Sequence, residues 1–333
     1  MTFTARKSAA AFDTDRNGSS DIPIFTDWQP LEHGGFGDEV LEIGHSLAET
    51  GLFTDDVLSE LIERTPRADY HVSTMDPQSH DPLTRREGVM DGLSGTDVLE
   101  AIRRGYIWLN LRNVEANMPA YRRLLDRIYA ELQARLPDQH FFKQKMTILI
   151  SSPSVRVGYH CDVPGQTLWQ VRGRKRVWVY PNTSPFLPPD RLESIVLGEA
   201  HEVSLKFQDT FDAHARVIDL EPGRMVTWPH NAPHRIVNHD CLNVSVTTEH
   251  WTPSLRNAYA VNYANGLLRR SLGLTELSQS TAGLASLSKI ALAAGHKLAG
   301  IQKGRRHKPR IDFRVDPASP NGFCDIPAYE IAR

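Results

Sequence analysis

The sequence predicts a mainly β core flanked by helical segments, and two changes of pattern along the chain carry this prediction. From residue 145 to about residue 250 the chain consists of short runs rich in β-branched and aromatic residues, separated by Pro, Gly and Asn. Before and after that stretch, apolar residues recur at helical spacing. Several short strands in a row favour a sandwich or barrel over alternating strand and helix units.

The composition is that of an ordinary globular protein. The chain has 333 residues, of which 40% are hydrophobic and 23% charged, and its formal net charge is -2. These values exclude a disordered, fibrous or strongly nucleic-acid-binding chain. The amino terminus lacks the apolar segment of a signal peptide, and no run is long enough to span a bilayer, so we expect no export and no membrane association. The three cysteines are widely spaced, which indicates neither a disulfide framework nor a zinc clip and favours a cytoplasmic setting.

The pattern divides the chain into four regions. The first is an extended, polar lead-in, the second is mainly helical, the third holds the β-rich runs, and the fourth is helical with a basic tail. Their predicted bounds are 1–36, 37–140, 141–255 and 256–333.

Within the second region, local signals mark helix ends and one strand. Thr54 and Thr96 precede amphipathic runs and are predicted to be N-caps, and Gly105 is predicted to end a helix. The longest helix is predicted over residues 120–136. The run YIWLNL, residues 106–111, is predicted to be a strand that joins a sheet.

The triplet His160-Cys161-Asp162 lies at the head of a β-rich run. In a strand, side chains two positions apart share a face, so His160 and Asp162 would point to one side and Cys161 to the other. One imidazole and one carboxylate on one face are suited to a cation. Such triplets also arise by chance in a chain with 14 histidines and 40 acidic residues. Cys161 is predicted to be a small core residue, not a nucleophile or zinc ligand.

A second histidine is required from elsewhere, and His234 is the best candidate. It opens a run, RIVN, that would lie beside the first strand after a turn at Glu221-Pro222-Gly223. His230 and His239 compete for the role, but the first lies in the preceding loop and the second beside a predicted turn. Two imidazoles and one carboxylate leave three coordination positions open, as in non-haem Fe(II) oxygenases.

Lys175 begins the strand-like run KRVWVY. Lys175, Val177 and Val179 share one face of that strand. If this face is the inner one, an ammonium is buried there, and an unpaired buried charge costs several kcal/mol. A bound dicarboxylate would supply the partner. The alternative is that Lys175 lies at the strand edge, beside the turn at residues 172–174, and reaches water.

These elements follow one another in a set order. His160-x-Asp162 is followed by Gln170-Val171-Arg172-Gly173-x-Lys175-Arg176, by a run ending in Tyr180-Pro181, and by Pro222-Gly223, Trp228-Pro229 and His234. Over about residues 106–251, this order resembles the Jumonji-C (JmjC), cupin-like branch of the Fe(II)/2-oxoglutarate-dependent oxygenases. The pattern is most similar to that of the factor-inhibiting-HIF-like asparaginyl hydroxylases, where a lysine follows the first metal histidine at the same distance.

The resemblance implies a double-stranded β-helix, or jelly-roll, with helices before and after it. It implies that His160, Asp162 and His234 are catalytic residues that ligate Fe(II). It also implies that Lys175 pairs with the distal carboxylate of 2-oxoglutarate. Gln166 falls where relatives have an amide-bearing residue near this cosubstrate.

One position departs from the family pattern. The asparaginyl hydroxylases have a threonine three places before the first metal histidine, where it helps to hold 2-oxoglutarate, and this chain has Val157 there. Thr147, Tyr180 or Thr167 are the candidates to supply the hydroxyl instead.

The implied activity is a hydroxylase reaction. It couples decarboxylation of 2-oxoglutarate, with O2, to C–H oxidation of a protein side chain or a small metabolite. Two alternatives stay open: a non-catalytic, cupin-like metal-binding or regulatory protein, and a metal enzyme that does not use 2-oxoglutarate.

Two further expectations concern partners. The helical segment after Trp251 resembles in position the helices through which several relatives dimerise, so the resemblance implies a homodimer. The basic segment KGRRHKPR, residues 303–310, is typical of solvated surface, so we expect no nucleic-acid partner.

Overall fold

The structure is a computed structural model that describes residues 22–32, 34–77, 84–300 and 310–331. Residues 1–21 and His33 of the predicted lead-in, and residues 303–309 of the basic segment, lie outside the described residues. In the part that is described, no helix is both long enough and apolar enough to cross a membrane.

Strands dominate the described chain. The strands are β1 Leu41–Gly44, β2 Tyr70–Thr74, β3 Arg86–Val89, β4 Trp108–Leu111, β5 Phe142–Ser151, β6 Arg156–His160, β7 Gly165–Arg172, β8 Lys175–Val179, β9 Arg216–Leu220, β10 Arg224–Thr227, β11 His234–Asn238, β12 Asn243–Trp251, β13 Arg310–Val315 and β14 Phe323–Glu330. The helices are α1 Asp55–Arg64, α2 Gly95–Arg104, α3 Val114–Asn117, α4 Pro119–Arg135, α5 Pro189–Val196, α6 Pro253–Leu272 and α7 Leu284–Leu298.

From β5 to β12 the chain crosses between two sheets at every connection except the one between β8 and β9, which are neighbours in the same sheet. The major sheet contains the run β10-β7-β12-β5, and the minor sheet has the order β6-β11-β8-β9. All pairings within these two sets are antiparallel. This alternation is that of a double-stranded β-helix, so the predicted jelly-roll core is confirmed.

Two apolar layers cover the outer faces of the jelly-roll, and a third fills its interior. Helices α1, α2 and α4 pack on the major sheet, and α5 and α6 pack on the minor sheet. The interior cluster contains inward-facing residues of both sheets: Leu168, Val177, Val179, Ile218, Leu220, Val226, Trp228, Ala232 and Ile236. Inner and outer residues therefore alternate along each strand, as period-2 patterning requires.

A tight turn between β7 and β8 fixes the position of Lys175, the first residue of β8. Gly173 has a φ of +74°, and a Cβ there would lie 2.2 Å from the carbonyl oxygen of Leu242. Both the left-handed backbone and the close approach require glycine. The turn delivers the chain to the minor sheet, where Lys175 pairs with Asn238 of β11 and Leu220 of β9.

The second region contains strands as well as helices. The YIWLNL run forms β4, which pairs with β5 and β2 and extends the major sheet. Thr54 precedes α1 and Gly105 ends α2, as predicted, but the N-cap of α2 is Ser94 and not Thr96. Ser94 Oγ accepts a hydrogen bond from the Asp97 amide, which satisfies a donor that the first turn of a helix leaves free.

The fourth region also differs from the prediction. Helices α6 and α7 are present, but they are followed by a hairpin of β13 and β14. Strand β13 pairs in parallel with β3, so the hairpin forms one end of a ten-stranded sheet. This pairing joins distant segments of the chain, so tertiary contacts and not local periodicity decide it.

Candidate metal centre

Three side chains predicted from the sequence converge at one end of the jelly-roll. His160 is the last residue of β6 and His234 the first of β11, and the two are directly paired in the minor sheet. Their ring centroids are 4.2 Å apart. Asp162 lies two residues beyond β6, and its Oδ2 is 3.4 Å from His234 Nε2. One candidate ligand atom from each of the three residues lies within 4.8 Å of the other two.

Backbone contacts fix the tautomer of both histidines. His160 Nδ1 lies 2.8 Å from the Gly158 carbonyl oxygen, and His234 Nδ1 lies 3.1 Å from the Ala232 carbonyl oxygen. A carbonyl only accepts, so each Nδ1 carries the proton and donates it. Each Nε2 therefore presents a lone pair toward the centre, which is the arrangement of a metal-ligating histidine whose other ring nitrogen donates to a carbonyl oxygen.

The electrostatics of the three side chains favour a cation between them. Asp162 Oδ2 is buried and has no hydrogen-bond partner among the described residues. Burial raises the pKa of Asp162 to about 6, against the opposing effect of His160. Burial and the neighbouring His160 hold the pKa of His234 well below its usual value. A divalent cation would satisfy the orphaned carboxylate oxygen and both imidazole lone pairs at once.

The two competing histidines are engaged elsewhere. His230 Nε2 donates to the Val163 carbonyl oxygen at 2.9 Å, and His239 lies at the surface, 3.4 Å from Asp219. Neither belongs to the cluster of candidate ligands. Cys161 points to the outer side of the minor sheet, where it is fully buried and its thiol pKa is raised by burial.

Lys175 is buried inside the jelly-roll, with only 3% of its surface exposed. It shares its face with Val177 and Val179, which line the interior. No described residue forms a hydrogen bond or ion pair with its ammonium group. Burial lowers the pKa of Lys175 to about 7, with a small opposing effect from Cys241. The alternative, that Lys175 lies at a strand edge and reaches water, is therefore wrong.

The candidate cosubstrate contacts are divided between the two faces of their strands. Thr147 shares the inner face of β5 with Leu149 and lies opposite Thr247 of β12. Thr167 lies on the outer face of β7, where Trp169 Nε1 donates to its hydroxyl. Among the three candidate hydroxyls, Thr147 is the one that the strand pattern turns inward.

Tyr180, the remaining hydroxyl candidate, lies on the outer side of the minor sheet. Arg235 donates a hydrogen bond to its hydroxyl oxygen, and that hydroxyl is also bonded to Asp212. Gln166 shares the inner face of β7 with Leu168, by the alternation along that strand. Val157 is half-buried against the interior cluster and contributes no hydroxyl there.

Sequence reasoning missed several residues near the centre. Asn231 donates from Nδ2 to the Asp162 carbonyl oxygen at 2.5 Å. Glu202, in a short 3-10 turn, has its pKa raised to about 7 by burial and by Asp162 and Glu249. Trp228, which the sequence already places just before His234, packs against that histidine with ring centroids 4.4 Å apart and ring planes tilted by 39°. The signal for Asn231 was an asparagine just before a candidate ligand strand, but nothing local pointed to Glu202.

Comparisons with known proteins give only remote likenesses. No protein-family model and no curated protein matches the chain. A structure of the ribosomal oxygenase YcfD from Escherichia coli in complex with cobalt and 2-oxoglutarate has 15% identity and a TM-score of 0.47, and the match covers 84% of this chain and 68% of that chain. Another structure of E. coli ycfD has 16% identity and a TM-score of 0.47, with 85% and 70% covered.

A cupin superfamily protein from Desulfitobacterium hafniense is also similar, at 10% identity and a TM-score of 0.20, with 32% of this chain and 66% of that chain covered. Likenesses this remote do not assign an activity.

The buried ammonium predicts how the stability of the metal-free protein depends on pH. The pKa of Lys175 is about 7 in the folded protein and 10.5 when unperturbed. The penalty for burying this charge is therefore complete below pH 7 and is relieved as the pH rises toward 10.5. Lys175→Met should raise the free energy of unfolding by several kcal/mol at about pH 6.5, and by less at higher pH.

Urea unfolding of the metal-free protein at a series of pH values would measure this difference. Lys206→Met, at an exposed lysine, is the matched control and should change little. A Lys175→Met protein that is no more stable than the parent at low pH would mean that the ammonium reaches solvent.

Proposed function

We propose that the chain is an Fe(II)- and 2-oxoglutarate-dependent dioxygenase, a hydroxylase that oxidises a C–H bond of a protein side chain or a small metabolite. The observation that carries the proposal is the convergence of His160, Asp162 and His234 at one end of a jelly-roll that also buries the unpaired Lys175. Two imidazoles and one carboxylate suit Fe(II), and a buried ammonium suits a dicarboxylate.

The proposed metal ligands are the Nε2 atoms of His160 and His234 and a carboxylate oxygen of Asp162. Their fit to a metal rests on the two fixed imidazole tautomers and on the orphaned Asp162 Oδ2. When bound, Fe(II) supplies the activation of O2 that couples decarboxylation of 2-oxoglutarate to oxygen transfer. The chain itself contributes the orientation of the three ligands.

Lys175 is the proposed partner of the distal carboxylate of 2-oxoglutarate. An anion there would neutralise the buried ammonium and remove its desolvation penalty. Thr147 and Gln166 face the same interior and are the proposed polar contacts that orient the cosubstrate. The apolar residues around them, such as Val177 and Val226, would exclude water from the reacting groups.

Removal of a metal ligand should abolish turnover. We expect His160→Ala and Asp162→Ala to form no succinate from 2-oxoglutarate above background, because each substitution deletes one of three ligands. Succinate can be measured after incubation with Fe(II), O2 and 2-oxoglutarate, without knowledge of the substrate to be hydroxylated. His239→Ala, at a surface histidine paired with Asp219, is the control and should behave as the parent protein.

The same assay separates the proposal from its alternatives. Succinate formation by His160→Ala at the parental rate would show that the metal assignment is wrong. A parent protein that binds metal tightly but forms no succinate would favour a non-catalytic metal-binding protein. A metal-dependent activity that is indifferent to 2-oxoglutarate would favour a different metal enzyme.

Loss of the Lys175 ammonium should weaken binding of 2-oxoglutarate more than loss of the Thr147 hydroxyl. Lys175→Ala should raise the KM for 2-oxoglutarate about 10- to 100-fold, since a hydrogen bond to a charged group contributes about 1.5–3 kcal/mol. Thr147→Val should raise it only about 5-fold, because a neutral hydrogen bond contributes about 1 kcal/mol. Thr167→Val is the control, since its hydroxyl faces Trp169 outside the jelly-roll.

The KM comparison, made by varying 2-oxoglutarate in the succinate assay, has a clear contrary result. An unchanged KM in Lys175→Ala would place the cosubstrate away from β8. An effect of Thr167→Val equal to that of Thr147→Val would mean that neither hydroxyl contacts the cosubstrate.

We also propose that the chain forms a homodimer through α7. Its solvent-facing side carries an apolar stripe at heptad spacing, composed of Leu284, Leu287, Ala291, Ala294 and Leu298, all of them exposed. The three leucines are 85%, 62% and 89% exposed. A stripe of this kind is suited to packing against a second helix.

A charge in the stripe should dissociate this dimer. We expect Leu287→Glu to shift the protein from dimer to monomer, because the carboxylate would be buried without a partner. Ser288→Glu, next to the stripe on an exposed position, is the control and should remain dimeric. Sedimentation velocity at micromolar concentration gives the molecular mass. A monomeric parent protein, or a dimeric Leu287→Glu variant, would contradict the proposal.

A further inference from the structure

The segment that carries Asp162 lies outside the β ladders. Strand β6 ends at His160 and β7 begins at Gly165, so residues 161–164 connect the minor sheet to the major sheet. Carbonyl groups in such a buried connection need hydrogen-bond partners from elsewhere. The position of the Asp162 carboxylate therefore depends on what holds this connection.

Side chains from the loop before β11 supply two of these partners. Asn231 Nδ2 donates to the Asp162 carbonyl oxygen at 2.5 Å, and His230 Nε2 donates to the Val163 carbonyl oxygen at 2.9 Å. Side chains of the loop before His234 therefore hold the segment that carries Asp162.

The loop that provides these donors, residues 229–232, is itself held in place. The His230 amide donates to the Gly37 carbonyl oxygen at 3.0 Å, and Asn182 Nδ2 donates to the His230 carbonyl oxygen at 3.0 Å. The Ala232 amide closes a turn onto the Pro229 carbonyl oxygen at 2.8 Å. Because hydrogen bonds hold both amide and carbonyl groups of this loop, its side chains can keep other groups in fixed positions.

The backbone of Asn231 shows that the loop is built around this residue. Its φ is +60°, in the left-handed region that asparagine tolerates better than most residues. Its side chain is buried, so it is not simply a solvated turn residue. One residue later, the Ala232 carbonyl accepts the Nδ1–H of His234. Adjacent residues of one loop therefore contact two of the three candidate ligands.

We infer that Asn231 is a positioning residue for the metal centre, which fixes Asp162 relative to His234 before a metal binds. The inference rests on the proposed function, since it assigns a role toward the metal that the three ligands would hold. Without the Asn231 amide, the Asp162 carbonyl loses a buried donor and the connection is free to shift. Because the ligands come from two separate segments of the chain, such a shift changes the spacing within the ligand set.

Binding of Co(II) to the metal-free protein tests this role without relying on catalysis. Asn231→Gly retains the left-handed backbone and removes only the donor, whereas Asn231→Asp places an oxygen against the Asp162 carbonyl. We expect both variants to bind Co(II) about 10- to 100-fold more weakly than the parent, as for other residues that orient metal ligands. The Co(II) absorption bands, which report coordination geometry, should change in both.

The matched control is Asn113→Gly. Asn113 also has a positive φ, of 52°, and also donates from Nδ2, to Asp69 at 2.8 Å, but it has no contact with the metal centre. This variant should keep the parental affinity and absorption spectrum. Thermal unfolding monitored by circular dichroism would show that all variants are folded and would give the loss of stability common to both sites.

The outcomes distinguish the inference from the proposed function. Parental Co(II) affinity and spectrum in Asn231→Gly would overturn the inference, and so would an equal loss of affinity in Asn113→Gly. A parent protein that binds no Co(II), or a His160→Ala variant that binds it as tightly as the parent, would overturn the proposed metal centre and the inference with it. Weaker binding confined to the Asn231 variants would support both.

Discussion

Two ionisable side chains buried inside the jelly-roll without a partner are the constraint from which the properties of the candidate site follow. The Asp162 carboxylate at one end has an orphaned oxygen, and the Lys175 ammonium has no ion pair among the described residues. The two charges do not form a salt bridge with each other, although such a pair would stabilise both. Each group costs free energy in the metal-free protein. A cation bound at one end and an anion bound at the other would compensate this cost.

The arrangement of the strands in the minor sheet fixes where the two buried groups lie relative to each other. Strand β11 runs from His234, which pairs with His160, to Asn238, which pairs with Lys175. Four residues of strand span roughly 13 Å. A lysine side chain and a five-carbon dicarboxylic acid placed end to end can bridge such a length. One strand thus sets both the location of the metal ligands and their separation from the ammonium.

Features governed by strand periodicity could be predicted from the sequence. The shared face of Lys175 with the two valines follows from a period of two. His160 and Asp162 do come together as predicted, but Asp162 lies beyond the end of β6, so strand periodicity alone does not place it. The choice of His234 over His230 followed from its position at the start of a strand. Features that depend on contacts between distant segments could not be predicted. The approach of Glu202 to Asp162 and the addition of the β13–β14 hairpin to β3 have no local signature, because tertiary pairing decides them.

The candidate hydroxyls for the position where the family has a threonine show where sequence-based prediction ends. Thr147 and Thr167 both lie on strands of the major sheet, and the sequence alone could not decide which one faces inward, because a shift of one residue exchanges the two faces. The structure turns Thr147 inward on β5, which pairs with β12 from Phe142 to Ser151. Position 157 belongs to β6, at the end of the minor sheet. Strand β5 pairs with β12 at Thr147 and with β4 from Ile148 onward, so a cosubstrate contact at Thr147 would be less free to move than a contact from β6.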